Sequence, residues 1–289
     1  MLQTLNIKLS NATVADYRAW GSAISAGLAA AGFVKSADTG QIAWATVALP
    51  TALGVPNNYE IWKFNDTLSA TKPVFIKIEY SIFVTGGSPA IGITVGTGSD
   101  GLGNLTGKVG ARLFVAVMNN TAGLVPVSLS TGGGRLMLYL PGELTTFGNS
   151  AYILVERTKD SNGNDSGLGV FYGFGGVDTA QVSKHNFQYV SFDTATIPQL
   201  NAYVPCIMPT GTTFQLFNNV GVGPVFPLSD SIGNPITSML VYLDADIASG
   251  TQVVVPMYGV NVTYLATGVR LKSVVTPYNA GAAILVRVD

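Results

Sequence analysis

Apolar and polar residues change rhythm once along this chain. From Thr13 to Ala31 the apolar side chains Tyr17, Trp20, Ile24, Leu28 and Ala31 recur at spacings of three and four, the period of an amphipathic helix. Thr13-x-x-Asp16 opens the stretch as a capping box, the hydroxyl taking an unpaired backbone N–H and the carboxylate reaching back to the cap. Gly32 comes next, a residue able to take positive φ and end the helix. The spacing therefore predicts one helix over 13–31, with Tyr17, Trp20, Ile24 and Leu28 as its apolar stripe. That stripe either packs in a core or docks the helix on a partner.

After Gly32 the period drops to two. In "NYEIWKFN", Tyr59, Ile61 and Lys63 share one face, and Glu60, Trp62 and Phe64 share the other. In "PVFIKIEYSIFV", Val74, Ile76, Ile78, Tyr80, Ile82 and Val84 make one continuous apolar face, opposite Phe75, Lys77, Glu79, Ser81 and Phe83. This is the pattern of a long strand with one fully buried face. "ARLFVAVMN", "GRLMLYLPG", "AYILVERT", "GLGVFYGFG", "NFQYVSFD", "TFQLFNN", "SMLVYLD", "TQVVVPMYGV", "VTYLATG" and "AAILVRVD" come after it, separated by Gly, Pro, Asn and Asp clusters. Many short strands with regular turn signals predict a mainly β protein. We expect an antiparallel β-sandwich, jelly-roll-like, with one N-terminal helix. Residues 1–185 would form the helix and sandwich. Residues 186–289 would continue in β-structure, as part of the same domain or as a second small one, with Pro224, Pro227 and Pro235 punctuating a loop-like stretch.

One segment carries a nucleotide-binding signature. "GITVGTGSDGLGNLTG" contains G-x-G-x-x-G at Gly96, Gly98 and Gly101, after a strand-like run. A dinucleotide loop must then open a helix, whose N-terminus holds the pyrophosphate. The residues after Gly101, "LGNLTGKVGARLFV", have no helical stripe and no acidic ribose partner about 20 residues on. The run reads as a glycine-rich β-connection turning at Ser99-Asp100-Gly101.

Composition sharpens the picture. Charged residues make up 11% of the 289 positions, against about 25% in typical soluble proteins. Net charge is −1, so neither nucleic acid nor an anionic membrane is expected as a partner. A surface this poor in charge calls for burial by other subunits and a coat of Ser, Thr, Asn and Gly, so a homo-oligomer is expected, a trimer or another small ring. The N-terminus lacks a basic stretch followed by an apolar one, so synthesis in the cytoplasm is expected. No apolar run reaches the length of a membrane span.

Candidate chemistry is sparse. The single cysteine, Cys206, and the single histidine, His185, rule out zinc-type His/Cys clusters; no metal or cofactor is expected. "DSNGNDSG" begins like a calcium loop, with Asp160, Asn162, Asn164 and Asp165 as weak ligands, but has Asp165 where glycine is required and Phe171 where glutamate is required. Paired-carboxylate hydrolysis could draw on Glu60, Glu79, Glu143 and Glu156. Nearby Lys63 and Lys77 point instead to cross-strand ion pairs.

The segments "YRAWGSAISAGLAAAGFVKSADTGQIAWATVALP", "YEIWKFND", "PVFIKIEY" and "GITVGTGSDGLGNLTG" resemble, in this order, a group of tailed-bacteriophage virion proteins. The resemblance covers residues from about 11 to 110 and is weaker to about 185. It implies a non-enzymatic structural component of the particle, on the head, neck or tail, with other virion proteins as partners and the virion as its location. The N-terminal part is expected to dock on the particle while residues 190–289 face outward or contact a second partner. Two other readings stay open. One is a receptor- or glycan-binding module using Tyr203, Phe214, Phe217, Tyr258 and Tyr264; the other is a β-sandwich glycan hydrolase.

Overall fold

The computed structural model describes residues 2–51, 58–83, 87–117, 120–132, 134–141, 151–159, 164–176, 183–192, 225–229, 235–243, 251–257, 260–271 and 282–287. The chain forms two compact units, Met1–Ile197 and Pro198–Asp289.

Helix α1 spans Val14–Ala30. Thr13 is its N-cap, in extended conformation, and its hydroxyl accepts the Asp16 N–H at 3.0 Å. The expected box is only half made. The Asp16 carboxylate accepts Lys8 Nζ at 3.1 Å and Ser10 Oγ at 3.2 Å, and so ties the helix to the segment before it. The helix stops at Gly32, at φ 89°. The Gly32 N–H returns to the Ala29 carbonyl and the Phe33 N–H to the Leu28 carbonyl, a Schellman arrangement that satisfies two end carbonyls.

Around α1 lie two antiparallel sheets. The front sheet runs in chain order through β2 (Val34–Lys35), β3 (Tyr59–Lys63), β4 (Phe75–Phe83), β5 (Ser88–Ser99) and β6 (Leu105–Ala116). The back sheet runs likewise through β7 (Val125–Thr131), β8 (Arg135–Leu140), β9 (Ala151–Lys159), β10 (Asp165–Gly176) and β11 (Ser183–Ser191). Strand β1 (Leu2–Ile7), which the sequence pattern did not single out, adds antiparallel to β7. The fold is thus the mainly β, antiparallel sandwich with one N-terminal helix that the pattern implies. Strands β2–β6 and β7–β11 follow one another as meanders, and the chain changes sheet only after β1 and after β6, not at each connection as in a jelly roll. The back sheet also takes in β11, so the expected boundary at 185 falls inside a strand.

Where β6 crosses β10 the sheets touch directly: a methyl added at Gly173 would sit 3.1 Å from the side chains of both Leu113 and Val115. On the other side α1 fills the space. Its Gly27 faces Leu5 and Leu129 of the back sheet, while Trp20 packs on Tyr80 of β4, ring centroids 5.6 Å apart. Ile76, Ile78, Ile93, Leu129, Ile153 and Phe171 from both sheets join the helix stripe in one core.

The glycine run forms the β5–β6 hairpin, and this hairpin bends back. Lys77 of β4 pairs across to Thr94; a flat hairpin would carry its turn about 17 Å or more beyond that point. Yet Lys77 Nζ donates to the Gly103 carbonyl at 2.8 Å. The bend falls where the β5–β6 register shifts between Ile93 and Val95, beside Gly107 and Gly110 at φ 53° and 67°. Only glycine adopts such angles freely.

The second unit is described by one antiparallel sheet. It contains β12 (Val225–Ser229), β13 (Pro235–Leu243), β14 (Gln252–Met257), β15 (Val260–Leu271) and β16 (Ala282–Arg287), in the order β12-β13-β16-β15-β14. Two of the prolines expected in a loop lie in strands. Pro227 is on the edge strand β12 and Pro235 is the first residue of β13, both places where a missing N–H is tolerated.

Candidate functional site

The densest chemistry in the described residues surrounds Glu60. Odd and even positions of β3 face opposite ways, so Glu60 and Trp62 look inward with Ile76, Ile78 and Tyr80. The Glu60 carboxylate is fully buried and accepts from five side chains. Oε1 takes Ser25 Oγ of α1 at 2.8 Å, Lys35 Nζ of β2 at 2.6 Å and Trp44 Nε1 at 3.2 Å. Oε2 takes Tyr80 Oη at 2.8 Å and Trp62 Nε1 at 3.3 Å. Burial, reinforced by this carboxylate, pushes the Tyr80 phenol well above its ordinary pKa, so it stays a donor. Tyr17 is raised too, chiefly by burial; its hydroxyl donates to the Tyr80 carbonyl and accepts from Asn58. Trp44 stands edge-on to Tyr17 and Tyr80 and reaches this place only because position 21 is glycine. A Cβ there would lie 2.0 Å from the Trp44 ring.

Glu79 lies on the opposite face of the front sheet, opposite Tyr59 in register, and pairs with Arg112 Nε at 2.5 Å. The two glutamates are ion-paired, as expected, but with Lys35 and Arg112 rather than the sequence neighbours Lys63 and Lys77. They also point away from each other, so they do not form a carboxylate pair. Glu156 is half-buried on β9, opposite Arg135; Glu143 lies outside the described residues.

A second cluster pins the hairpin turn. The Asp38 carboxylate accepts the Gly103 N–H at 3.0 Å and the Ser99 hydroxyl. Thr39 N–H donates to the Gly101 carbonyl, and Tyr59 Oη to the Thr39 carbonyl at 2.6 Å. Within the turn, Asp100 Oδ1 accepts the N–H groups of Leu102 and Asn104. Burial alone would raise Asp38, but hydrogen bonds from Ser36, Ser99 and Gly103 outweigh it and hold the carboxyl below its ordinary value. Its contribution to stability is therefore complete above about pH 4, the ordinary aspartate range, and is lost as pH falls through the lowered folded value. Urea unfolding between pH 3 and pH 7 should show wild type losing more stability on the acid side than Asp38→Asn. Equal slopes would mean the carboxylate contributes nothing.

The other sequence candidates are scattered over the fold. Tyr17, Trp20, Ile24 and Leu28 are all buried within this chain's own core, so the stripe is packing and not a docking face. Gly96 and Gly98 sit inside β5 and Gly101 in the turn, and the next element is β6 rather than a helix. Asp165 pairs with Lys72 at 3.3 Å, and Asn164 is exposed beside it. Asp160 and Asn162 lie outside the described residues. Among the described residues no three His, Cys, Asp or Glu side chains stand together, and no helix is long and apolar enough to cross a membrane. His185 is on β11, opposite Phe174. Of the five aromatics proposed for ligand contact, Tyr264 is fully buried; Tyr203, Phe214, Phe217 and Tyr258 lie outside the described residues, as does Cys206. Sequence reasoning missed the contacts of Lys35 and Trp44 with Glu60 and of Asp38 with Gly103, which join residues 16 to 65 apart.

A notch with about 40 Å³ of room opens where the end of α1, the end of β3 and the β7–β8 turn meet. Phe33 and Phe64, rings 5.6 Å apart, lie along it with Asn65, Thr131 and Arg135.

Together the fold and these clusters define an antiparallel β-sandwich whose buried carboxylates tie segments together. No protein-family model, curated protein or solved structure matches the chain.

Proposed function

We propose that this chain is a non-enzymatic structural component of a tailed-bacteriophage particle. It would be made in the host cytoplasm and assembled as a homo-oligomer against other virion proteins. The observation that carries this reading is the use of Glu60. It is the most deeply buried carboxylate described, and five donors from five segments saturate it, leaving no free lone pair directed at a substrate. A site arranged for acid–base chemistry keeps its carboxylate reachable; this one is a fastening. The low charge of the chain and the virion-protein resemblance across its first 110 residues support the same reading. The N-terminal unit is the part proposed to attach to the particle, through surfaces other than the helix stripe. Electron microscopy of phage particles labelled with an antibody to this chain tests it. Label at one fixed place on intact particles is expected, and unlabelled particles would overturn it.

A further inference from the structure

Strand β1 leaves one edge of the back sheet open. It pairs with β7 on one side and ends the sheet on the other. In an antiparallel ladder, successive residues turn their N–H and C=O groups alternately toward and away from the neighbouring strand. Two observations fix which residues of β1 turn away. Pro126, which has no N–H to give, stands opposite Asn6. Just past the strand, Leu9 turns both groups toward the segment before β7: its N–H donates to the Thr121 hydroxyl at 2.9 Å, and its carbonyl accepts the Thr121 N–H at 2.8 Å. Odd-numbered residues therefore bond the β7 side, and Leu2, Thr4 and Asn6 turn their backbone groups outward. Thr4 and Asn6 are exposed, and no described residue bonds these outward groups.

Free edges are usually guarded by short strands, charges or bends. In the same unit β2 has two residues, β6 carries Lys108 and Arg112 and bends at Gly107 and Gly110, and β11 carries Lys184. Strand β1 has none of these guards. It is also its own complement. Laid antiparallel against a second β1, about a two-fold axis at Thr4, Thr4 meets Thr4 and Leu2 meets Asn6. Each outward N–H then finds an outward carbonyl, with no proline in the ladder and Lys8 beyond its end.

Helix α1 identifies the arriving strand as that of a second copy. A Cβ at Gly27 would lie 3.1 Å from Leu5 and 3.2 Å from Leu129, so here the helix sits over the gap between β1 and β7. Strands lie about 4.8 Å apart, so a two-fold axis just beyond β1 sets the two helices about 10 Å apart, the spacing of packed helices. Contact at that spacing suits small, uncharged side chains. The face of α1 turned away from the core supplies them, with Ala15, Ala19, Ala26 and Ala30 all exposed. A strand from another protein would satisfy β1 but leave these alanines bare.

We propose that β1 pairs with β1 of a second copy about this two-fold axis. The contact joins two six-stranded back sheets into one, with the two α1 helices side by side upon it. This inference rests on the oligomeric reading above and names the surface that makes the oligomer.

Sedimentation and light scattering of the full chain test it. Wild type should be heavier than the 30.1 kDa monomer. Thr4→Pro removes an outward N–H and nothing that β7 uses, so it should raise the dissociation constant about tenfold or more and leave the circular dichroism of the fold unchanged. Ala26→Glu tests the helix contact independently and should also weaken assembly. Leu102→Glu is the control: Leu102 is 71% exposed but lies on the β5–β6 turn, so the mass should not change. In a Cys206→Ser background, a short bismaleimide should join two copies through Thr4→Cys. A wild-type monomer at all concentrations, an intact Thr4→Pro or Ala26→Glu oligomer, equal dispersal by Leu102→Glu, or no cross-link through Thr4→Cys overturns the contact. An intact Thr4→Pro oligomer together with labelled phage particles would fail this contact alone. Dispersal as expected, with unlabelled particles, would fail only the virion reading.

Discussion

Glu60→Ala should lower the unfolding free energy by about 3–5 kcal/mol, the scale for removing one partner of a buried charged cluster. The loss comes less from the missing carboxylate than from what it leaves. Trp62 Nε1 and Tyr80 Oη remain in a dry interior with no acceptor, and each unsatisfied donor costs about 1–3 kcal/mol. Lys35 behaves differently. Its side chain is 36% exposed and can turn to water once the carboxylate is gone, whereas Lys35→Met leaves the fully buried Glu60 carboxylate without its cation and should itself cost about 3 kcal/mol or more. Glu60→Gln gives the informative intermediate. It keeps the shape and one oxygen but points an NH₂ at groups that are themselves donors, so it should recover little of the loss. Urea unfolding of the three variants checks these costs. A Glu60→Ala protein within about 1 kcal/mol of wild type would show that the five hydrogen bonds carry no net stability.

The Glu60 cluster also shows where the sequence stops being informative. The period-two pattern places Ile76, Ile78 and Tyr80 on one face of β4, with Val74 just before it, and all four are fully buried. A binary pattern reports a strand's own two faces, so that much is local. Partner choice is not local. Lys63 lies three residues from Glu60, an odd separation, and an odd separation in a strand puts two side chains on opposite faces. Lys77 shares a face with Glu79, but it lies along the same strand, whereas Arg112 approaches from β6, across Gly92. A Cβ at Gly92 would lie 2.9 Å from the Glu79 carboxylate and 2.6 Å from the Arg112 guanidinium. The small residue in β5 is what lets the arginine reach over, and no spacing rule within β4 encodes it.

The outer face of the front sheet behaves in the same way. Ile61, Glu79, Ser81 and Phe83 belong to the face that alternation leaves for solvent, yet all are buried. Part of the covering comes from the chain itself, since the β5–β6 hairpin bends until its turn reaches Tyr59 and Lys77. The glycines that resemble a nucleotide loop therefore have a mechanical use. Gly103 shows how tight the fit is: at φ 95°, a Cβ there would lie 2.0 Å from the Tyr59 hydroxyl. The sequence announces that the segment is glycine-rich and turns; the direction of the bend depends on contacts made by residues far away in the chain.

Trp20→Ala should destabilise the first unit by about 3–5 kcal/mol, the range for removing a large aromatic side chain from a core. Trp20 is fully buried and sits where three parts of the unit converge. Its ring packs against Tyr17 within α1 and Tyr80 on β4. Its Nε1 donates to Asn11 Oδ1 at 2.9 Å. Asn11 in turn donates Nδ2 to the Ser81 carbonyl, and its backbone N–H goes to the Asn120 side chain. Alanine therefore opens a cavity and also strips Asn11 Oδ1 of its donor, which loosens the link from the segment before α1 to β4 and to the stretch after β6. Trp20→Phe separates the two effects: it keeps most of the ring volume and loses only the N–H, so its cost should be about 1–3 kcal/mol, that of one buried acceptor left unpaired. If the helix stripe instead faced a neighbouring subunit, Trp20→Ala would change the oligomer mass while the isolated chain kept its melting temperature. With the stripe buried in its own chain, the melting temperature must fall, and an unchanged value in both variants would place the indole in water.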